Sequence, residues 1–239
     1  MQRFEFSTPE LALLVQHMTG GAMPLDANAA ADLSTTEADL EAAEQQLSER
    51  GLLVSAPLEE EVGVASDLAT LLSTTLSPDM LGVLRVDRAP DLREVSYFSL
   101  TSDCMAHNRV GADGRHVFTE FDTLDELLQA MTATAHGTQE IDAQAEPLDK
   151  LLPDSDAVAV LMLVSRPAEP DAAAQVISWV VARGGVWLTD RVGTDGVPLA
   201  TPIGAEALRD RLRQALQAAP TGGLIPARNG SILHQGGAI

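Results

Sequence analysis

A strand–hairpin–helix pattern that occurs twice constrains this chain of 239 residues more than any other feature of its sequence. Residues 109–114 (Arg-Val-Gly-Ala-Asp-Gly) and 191–196 (Arg-Val-Gly-Thr-Asp-Gly) agree at five of six positions. Glycines and an Asp-Gly pair between apolar runs predict a β-hairpin at each place. The two turns lie 82 residues apart, and at the same offset Tyr97 falls on Trp179. The sustained agreement of element order and apolar positions indicates an internal duplication.

Each copy is predicted to hold three antiparallel strands and a helix behind them. Apolar and polar residues alternate along the strand segments, which is the period of a half-buried strand. Apolar residues at helical spacing follow the last strand of each copy. The strand segments lie at residues 80–86, 95–110 and 117–121 in the first copy and at 158–164, 175–191 and 197–203 in the second.

Three helices are predicted before the first copy, at about residues 8–19, 35–50 and 60–76. Residues 7–10 (Ser-Thr-Pro-Glu) and 34–37 (Ser-Thr-Thr-Glu) are typical helix starts, because a hydroxyl can cap the free amides of the first turn. The chain is therefore predicted to be an α+β protein. Its N-terminal helices precede two repeated antiparallel β-β-β-α units.

A polar, acidic segment without clear period, residues 136–155, separates the two copies. We expect residues 1–135 to hold the N-terminal helices and the first unit, residues 136–155 to be a linker, and residues 156–219 to form the second unit. Residues 220–239 contain glycines, prolines and scattered apolar residues, and we expect them to be a flexible tail.

The charge balance argues against nucleic acid and membranes as partners. The chain has 15 Lys and Arg against 35 Asp and Glu, a formal net charge of −20. Binding to a phosphate backbone needs clustered basic residues, and anionic lipid repels an acidic protein. Aromatic residues make up 3% of the chain, so few side chains are available to stack on bases. We expect no nucleic-acid partner and no membrane partner.

The sequence also suggests a cytoplasmic location. Cys104 is the one cysteine, so neither an intramolecular disulfide nor a thiolate metal cluster can form within one chain. The longest apolar runs, residues 157–164 and 176–182, are too short to span a bilayer. The first residues show no apolar region of signal-peptide length.

No catalytic or cofactor-binding motif is visible. The sequence contains no nucleophile elbow, no phosphate-binding loop and no dinucleotide fingerprint after a strand. His107 and His116 flank the first turn and are expected on the same side of the sheet, where two imidazoles could bind a metal. The favoured interpretation is that both histidines are solvent-facing polar residues on a hairpin. We expect no catalytic residues, no cofactor and no metal site.

The helix–loop–helix order that ends at residues 47–53 resembles the helical part of a winged-helix domain. A version that recognises DNA would carry Arg, Lys or Asn on its second helix. Residues 37–50 instead carry five acidic residues, and Arg50 is their one basic residue. Binding of DNA through this helix is not expected.

Three N-terminal features together resemble the EspG family of actinobacterial type VII secretion. They are the apolar helix after residues 7–10, the run from Leu40 to Leu53, and residues 68–79 leading into a strand. The resemblance covers residues 5–216 and rests on element order and composition. Members of this family are cytosolic chaperones that hold an exposed apolar end of PE–PPE secretion substrates. Their fold has two α+β halves about a pseudo-twofold axis, which the resemblance implies here.

In that family the loop between the second and third strands of the first half touches the client. The resemblance therefore implies a contact here through Arg109, Val110, Asp113 and Arg115, and an ordinary solvated turn is the alternative. The predicted function is that of a non-catalytic, cytosolic protein-binding module, chaperone- or adaptor-like, for a secreted client. The alternatives are a small-molecule sensor with a pocket between the repeats, a winged-helix-type regulator, and an enzyme of unknown type.

Overall fold

A computed structural model describes residues 2–19, 36–55, 62–88, 92–111, 113–167, 172–194 and 196–218. Its helices are α1 (Thr8–Thr19), α2 (Glu37–Glu49), α3 (Ser66–Leu76), α4 (Leu124–Met131), α5 (Leu148–Leu151) and α6 (Ala205–Ala218). Its strands are β1 (Arg3–Phe6), β2 (Leu53–Ser55), β3 (Val62–Val64), β4 (Met80–Arg88), β5 (Leu92–Leu100), β6 (Met105–Val110), β7 (His116–Phe121), β8 (Glu146–Pro147), β9 (Ser155–Ser165), β10 (Ala173–Ala182), β11 (Gly185–Val192) and β12 (Pro198–Ile203).

Ten of these strands form one antiparallel sheet within the described residues, so the predicted α+β class is confirmed. Their order is β1-β7-β6-β5-β4-β9-β10-β11-β12-β8, and β2 and β3 form a separate hairpin. The pair β4–β9 stands at the centre, with Met80 opposite Ser165 and Arg88 opposite Ala157. One meander, β4 to β7, runs outward from this pair on one side, and β9 to β12 runs outward on the other.

The main core lies between the sheet and helices α4 and α6, and we call this side the helical face. Alternate residues of the central strands point into it, as the two-residue period of a strand requires. Leu84, Leu161 and Trp179 are fully or almost fully buried there, in one cluster with Leu212 of α6. The indole Nε1 of Trp179 donates a hydrogen bond to Thr134 Oγ1 at 3.1 Å.

A second core joins β1 and helices α1 to α3 to the other side of β6 and β7. Its buried members include Phe6, Leu14, Leu47, Leu68 and Phe118. Here α1, α2 and α3 form a helical layer over one end of the sheet, and we call them the N-terminal layer.

Arg50 links two helices of the N-terminal layer to each other and to β1. The Glu10 side chain is almost fully buried and accepts a hydrogen bond from Arg50 Nη1 at 2.7 Å. Its other oxygen accepts from the Ser7 amide at 2.7 Å. The Arg50 guanidinium also donates to the Glu5 carbonyl at 3.0 Å and lies 5.4 Å from the centre of the Phe6 ring. One arginine thus connects β1, α1 and the end of α2.

Two N-terminal elements differ from the sequence prediction. The third helix begins at Ser66, because residues 62–64 pair with residues 53–55 in the β2–β3 hairpin. The first strand, β1, was not predicted, although Arg-Phe-Glu-Phe alternates as a strand should. The acidic run at residues 59–61 and the expected tail at 220–239 lie outside the described residues.

Each meander has four strands, so the predicted three-strand units were wrong. The first long strand is interrupted at residues 101–104, where Thr101 Oγ1 accepts hydrogen bonds from the amides of Asp103 and Cys104. Such a local hydroxyl–backbone turn competes with the extended form. In the second meander, Arg183 and Gly184 both have positive φ (53° and 77°), as a two-residue hairpin turn demands.

The structure also corrects the predicted alignment of the two meanders. Leu100 pairs with Met105 in the first meander and Val181 with Val186 in the second, which places these strands 81 residues apart. An irregularity in β11 between Leu188 and Arg191 shifts the register by one residue and restores the offset of 82 at the turn. Tyr97 and Trp179 therefore lie on opposite faces of the sheet, and Trp179 aligns with Phe98.

Candidate interaction surface

The side of the sheet opposite the helical face is uncovered in its middle. Residues paired across neighbouring strands lie on the same side of a sheet, and one such row is Tyr97, Val83, Met162 and Val176. Tyr97 is 37% exposed, Met162 39% and Val176 61%. We call the exposed or half-buried apolar residues of this region the open face: Leu81, Val83, Tyr97, Val160, Met162, Val164 and Val176.

The open face is bounded by covered parts of the same side of the sheet. Towards β6 and β7, the N-terminal layer buries Ala106 and Phe118. Towards β11 and β12, the segment of residues 136–154 covers Trp187 with Leu151, and Ile141 packs against the same cluster. Between these covers, four paired strands, β5, β4, β9 and β10, meet the solvent.

The apolar character of this region is unusual for a sheet surface in water. An antiparallel sheet with one face on the core normally carries polar residues on the other. Here Val160, Met162 and Val176 point outward at adjacent positions on β9 and β10. Large contiguous apolar patches are enriched where proteins contact other molecules, so this region is the candidate interaction surface.

Charged residues occupy one end of the open face. Arg85 Nη2 lies 2.8 Å from Asp87 Oδ2, and Arg93 Nε lies 2.9 Å from Asp87 Oδ1. The hydrogen bonds from Arg85 and then Arg93 lower the pKa of Asp87 below its ordinary value. Exposed ion pairs of this kind add little stability. These three charged residues therefore mark the end of the apolar patch and contribute little to the stability of the sheet.

The first hairpin turn presents the four residues that the sequence singled out. The Gly111 amide donates to the Arg115 carbonyl at 2.8 Å, and Asp113 Oδ1 accepts from the Arg115 amide at 3.1 Å. Arg115 Nη1 also lies 3.3 Å from Glu5 Oε1 of β1. Val110, half exposed, points to the side of the open face, whereas Arg109 points to the other side of the sheet. The turn therefore offers Val110 and its tip to a partner on that side, but not Arg109.

The two histidines near the turn lie on opposite faces, which corrects the predicted register. Val110 pairs with His116, and His107 pairs with Thr119. The His107 ring stacks on Phe98, with ring centres 4.6 Å apart. Burial lowers the pKa of His116 and, with a smaller effect from the Arg109 charge, lowers the pKa of His107 to about 4. Within the described ranges, no three His, Cys, Asp or Glu side chains are grouped closely enough to hold a metal ion.

The free energy of unfolding of the wild-type protein should fall when the pH is lowered from about 7.5 to about 5. We expect His107→Phe to make that fall smaller by about 2 kcal/mol. The folded-state pKa of His107 is depressed from 6.5 to about 4. The unfolded chain therefore binds a proton below pH 6.5 that the folded chain does not, so stability is lost as the pH falls from 6.5 towards 4. Phenylalanine keeps the stacking on Phe98 and removes the proton site. Urea unfolding of both proteins at the two pH values measures the effect, and an unchanged pH dependence would contradict it.

Two surface grooves lie away from the open face. One lies between β1 and the start of α3 and is lined by residues 2–4, Leu52 and residues 65–68. The other lies between α4 and α6, where Arg213 Nη2 contacts Asp125 Oδ1 at 2.9 Å. This second groove is lined by polar residues and open to solvent, unlike the closed apolar pocket that the sensor alternative predicts between the two units. Among the described residues, none of the helices combines the length and apolar character needed to cross a bilayer.

No protein-family model matches the chain, and no curated protein matches it in sequence. Its fold is similar to that of a chain in the solved structure of the Mycobacterium tuberculosis type VII secretion system chaperone EspG5 in complex with PE25-PPE41 dimer. The TM-score is 0.63, the match covers 92% of this chain and 97% of that chain, and 9% of the residues are identical. At this identity the likeness establishes a common fold, and a fold alone does not assign a function.

Proposed function

We propose that this protein is a non-catalytic, cytosolic chaperone or adaptor that binds a protein client through the open face. The single observation that carries the proposal is the apolar surface at the centre of the sheet. The outward-facing positions of such a sheet are normally polar. Here they are occupied by Val160, Met162 and Val176. Covering them with a partner would bury apolar area that the free protein leaves in contact with water.

The first hairpin turn is proposed as a second contact. Val110 is half exposed and points to the same side as the open face, and the residues at the tip, Asp113 and Arg115, are exposed. A client that lies on the open face and extends towards β6 would meet these residues. Arg109 points away and is proposed to act through the opposite side of the hairpin, or through the charge it contributes.

The fold supports a secretion substrate as the client. A solved structure with this fold is described as a type VII secretion system chaperone in complex with a dimer of other proteins. We carry the class of partner over to this chain as a proposal, together with a cytosolic location. The acidic surface, with a net charge of −20, favours clients with basic regions over nucleic acid or anionic lipid.

An internal duplication about a pseudo-twofold axis is part of the proposal. Both turns have the same backbone hydrogen bonds: Gly111 and Gly193 donate to the residue four positions on, and Gly114 and Gly196 donate back to them. The second glycine of each turn has a positive φ, 77° and 81°. From the central pair outward, the strands follow in chain order on both sides, β4 to β7 on one and β9 to β12 on the other. This matching order supports a common origin of the two meanders.

Capture of proteins from the source cytoplasm, followed by reconstitution with the purified candidate, tests the proposal. Met162→Glu places a charge in the open face and should weaken the purified complex by about tenfold or more. Leu92→Glu, which adds the same charge at an exposed apolar position on the other side of the sheet, is the matched control. Val110→Asp tests the hairpin contact separately. A complex that tolerates Met162→Glu as well as Leu92→Glu would refute binding through the open face.

A winged-helix-type regulator is the second candidate, because α2 is followed by the β2–β3 hairpin in the position of a wing. The exposed surface of α2 includes Glu37, Asp39 and Glu41, which duplex DNA would repel. Submicromolar, salt-sensitive binding to mixed duplex in a gel shift would favour the regulator over the chaperone.

A further inference from the structure

β1 is an edge strand of the sheet, and part of its backbone points away from the other strands. Among the described residues, β7 lies on its inner side and no strand lies on its outer side. The Glu120 amide donates a hydrogen bond to the Gln2 carbonyl at 2.9 Å. Bonded pairs alternate along an antiparallel ladder, so Phe4 also bonds to β7, whereas the backbone groups of Arg3 and Glu5 point outward.

The hydrogen bonds of the outer side of β1 agree with this direction. The Glu5 carbonyl accepts a hydrogen bond from the Arg50 guanidinium at 3.0 Å. The Glu5 amide and both backbone groups of Arg3 have no hydrogen-bond partner in the part of the chain that the structure describes. Two donors and one acceptor are therefore free along the edge, at the spacing that an added strand would pair.

A groove lies beside this edge, on the side of the N-terminal layer. Its volume is about 420 Å³, and it is lined by residues 2–4 of β1, by Leu52 and by residues 65–68. Phe4 points to this side of the sheet, because it is opposite Phe118, which is buried under the N-terminal layer. A side chain next to Phe4 on an added strand would therefore enter the groove beside Leu52.

We propose that an extended segment of a partner protein adds to β1 as an antiparallel strand and places an apolar side chain in this groove. The backbone identifies the occupant, because unpaired strand groups are matched by another extended chain. The antiparallel direction continues that of the sheet and pairs slightly more strongly than the parallel one. This surface is separate from the open face, so the inference goes beyond the proposed function and does not depend on it.

The side chains of Arg3 and Glu5 specify the flanks of that apolar residue. Both point to the side of the sheet away from the groove, and they are 56% and 42% exposed. Opposite charges at facing positions stabilise a strand pair, and like charges destabilise it. An antiparallel segment therefore fits best with a basic residue opposite Glu5, an apolar residue opposite Phe4 and an acidic residue opposite Arg3. From its N-terminus, the expected order is basic, apolar, acidic.

A second copy of this chain is the alternative occupant, because residues 3–5 of β1 (Arg-Phe-Glu) have this same order. Two copies that each carry a net charge of −20 repel each other. A segment of a different, less acidic protein is favoured for this reason.

Two fluorescein-labelled peptides of identical composition, about nine residues long, test this inference by fluorescence anisotropy. They share their flanking residues and carry either Lys-Leu-Glu or Glu-Leu-Lys at the centre. The first should bind the wild-type protein about tenfold more tightly, because the second places like charges opposite Arg3 and Glu5. Arg3→Glu should remove that preference, whereas Arg93→Glu, the same change at an exposed arginine of β5, should retain it.

Methylation of single backbone nitrogens in the Lys-Leu-Glu peptide tests strand addition directly. In the expected pairing, the amide of the peptide glutamate faces the Arg3 carbonyl, and the amide of the peptide leucine faces away from β1. A methyl group on the glutamate nitrogen should weaken binding by about tenfold, because it removes a hydrogen bond and separates the strands. The same group on the leucine nitrogen is the matched control and should have little effect.

The inference would be overturned by equal binding of the two peptides, by tighter binding of Glu-Leu-Lys, or by no saturable binding of either. Equal effects of the two methyl groups, or of Arg3→Glu and Arg93→Glu, would also contradict it. A wild-type dimer in sedimentation equilibrium that Arg3→Glu dissociates would exclude it, because the occupant would then be a second copy of this chain. The proposed function fails separately: Met162→Glu should leave peptide binding unchanged while it weakens a reconstituted client complex.

Discussion

Trp179→Ala is expected to destabilise the protein by about 3–5 kcal/mol, the range for removing a large buried aromatic side chain. Trp179 is fully buried on the helical face, in the same cluster as Leu161, Leu188 and Leu212. Alanine would leave a cavity between β10 and the helices and would leave Thr134 without its indole donor. Urea unfolding followed by far-ultraviolet circular dichroism measures the change.

Trp179→Phe is the matched control for that cavity. It keeps most of the ring volume and removes the hydrogen bond to Thr134, so the expected loss is about 1–2 kcal/mol. The exposed Leu92→Ala should change stability by less than about 0.5 kcal/mol. If Trp179→Ala lost no more stability than Trp179→Phe, the indole would not fill the core as described.

Arg50→Ala is expected to lower the free energy of unfolding by about 2–3 kcal/mol. This is below the usual penalty for leaving one partner of a buried ion pair unpaired, because Arg50 itself is partly exposed. The loss arises at Glu10, whose side chain is 5% exposed and would keep the Ser7 amide as its remaining partner of those described. The guanidinium contact with Phe6 and the hydrogen bond to Glu5 would be lost as well. Thermal and urea unfolding measure the effect.

A double substitution separates the effect of charge from the effect of packing at the Arg50–Glu10 ion pair. Glu10→Gln in the Arg50→Ala background removes the buried charge and should restore part of the lost stability. Arg50→Lys keeps the charge but lacks the planar fork that reaches both Glu10 and the Glu5 carbonyl, so an intermediate loss is expected. If Glu10→Gln lowered the stability of Arg50→Ala further, burial of an unpaired carboxylate would not be the cause.

The class of the fold could be predicted because local rules and the global fold agree over most of the chain. Periodicity and capping residues located α1, α2 and α4, and the glycine turns located both outer hairpins. The N-terminal strand was missed because Arg3–Phe6 is short and is held by β7, a partner more than 100 residues away along the chain. Sequence patterns report local preference, whereas such a pairing depends on the tertiary structure.

The face on which a side chain lies was harder to predict than the strand that carries it. A shift of one residue exchanges the two faces of a strand, and the irregularity in β11 introduces such a shift. For this reason Tyr97 was aligned with a core residue, and His107 and His116 were placed on the same side. The open face was not predicted, although apolar residues at every position of Val158–Val164 gave a signal, since a strand covered on one side alone would alternate with polar residues.

The position of β4 and β9 at the centre of the sheet determines the order in which the chain can fold during synthesis. The hairpins from β4 to β7 join segments that are close in sequence and can form early. The inner edge of β4 finds its partner when residues 155–165 have emerged, because Met80 pairs with Ser165. Until then the first meander exposes both an unpaired strand edge and its apolar surface, the combination that makes nascent intermediates prone to aggregation. A protein proposed to shield the apolar surface of others would thus depend on rapid completion of its own second half.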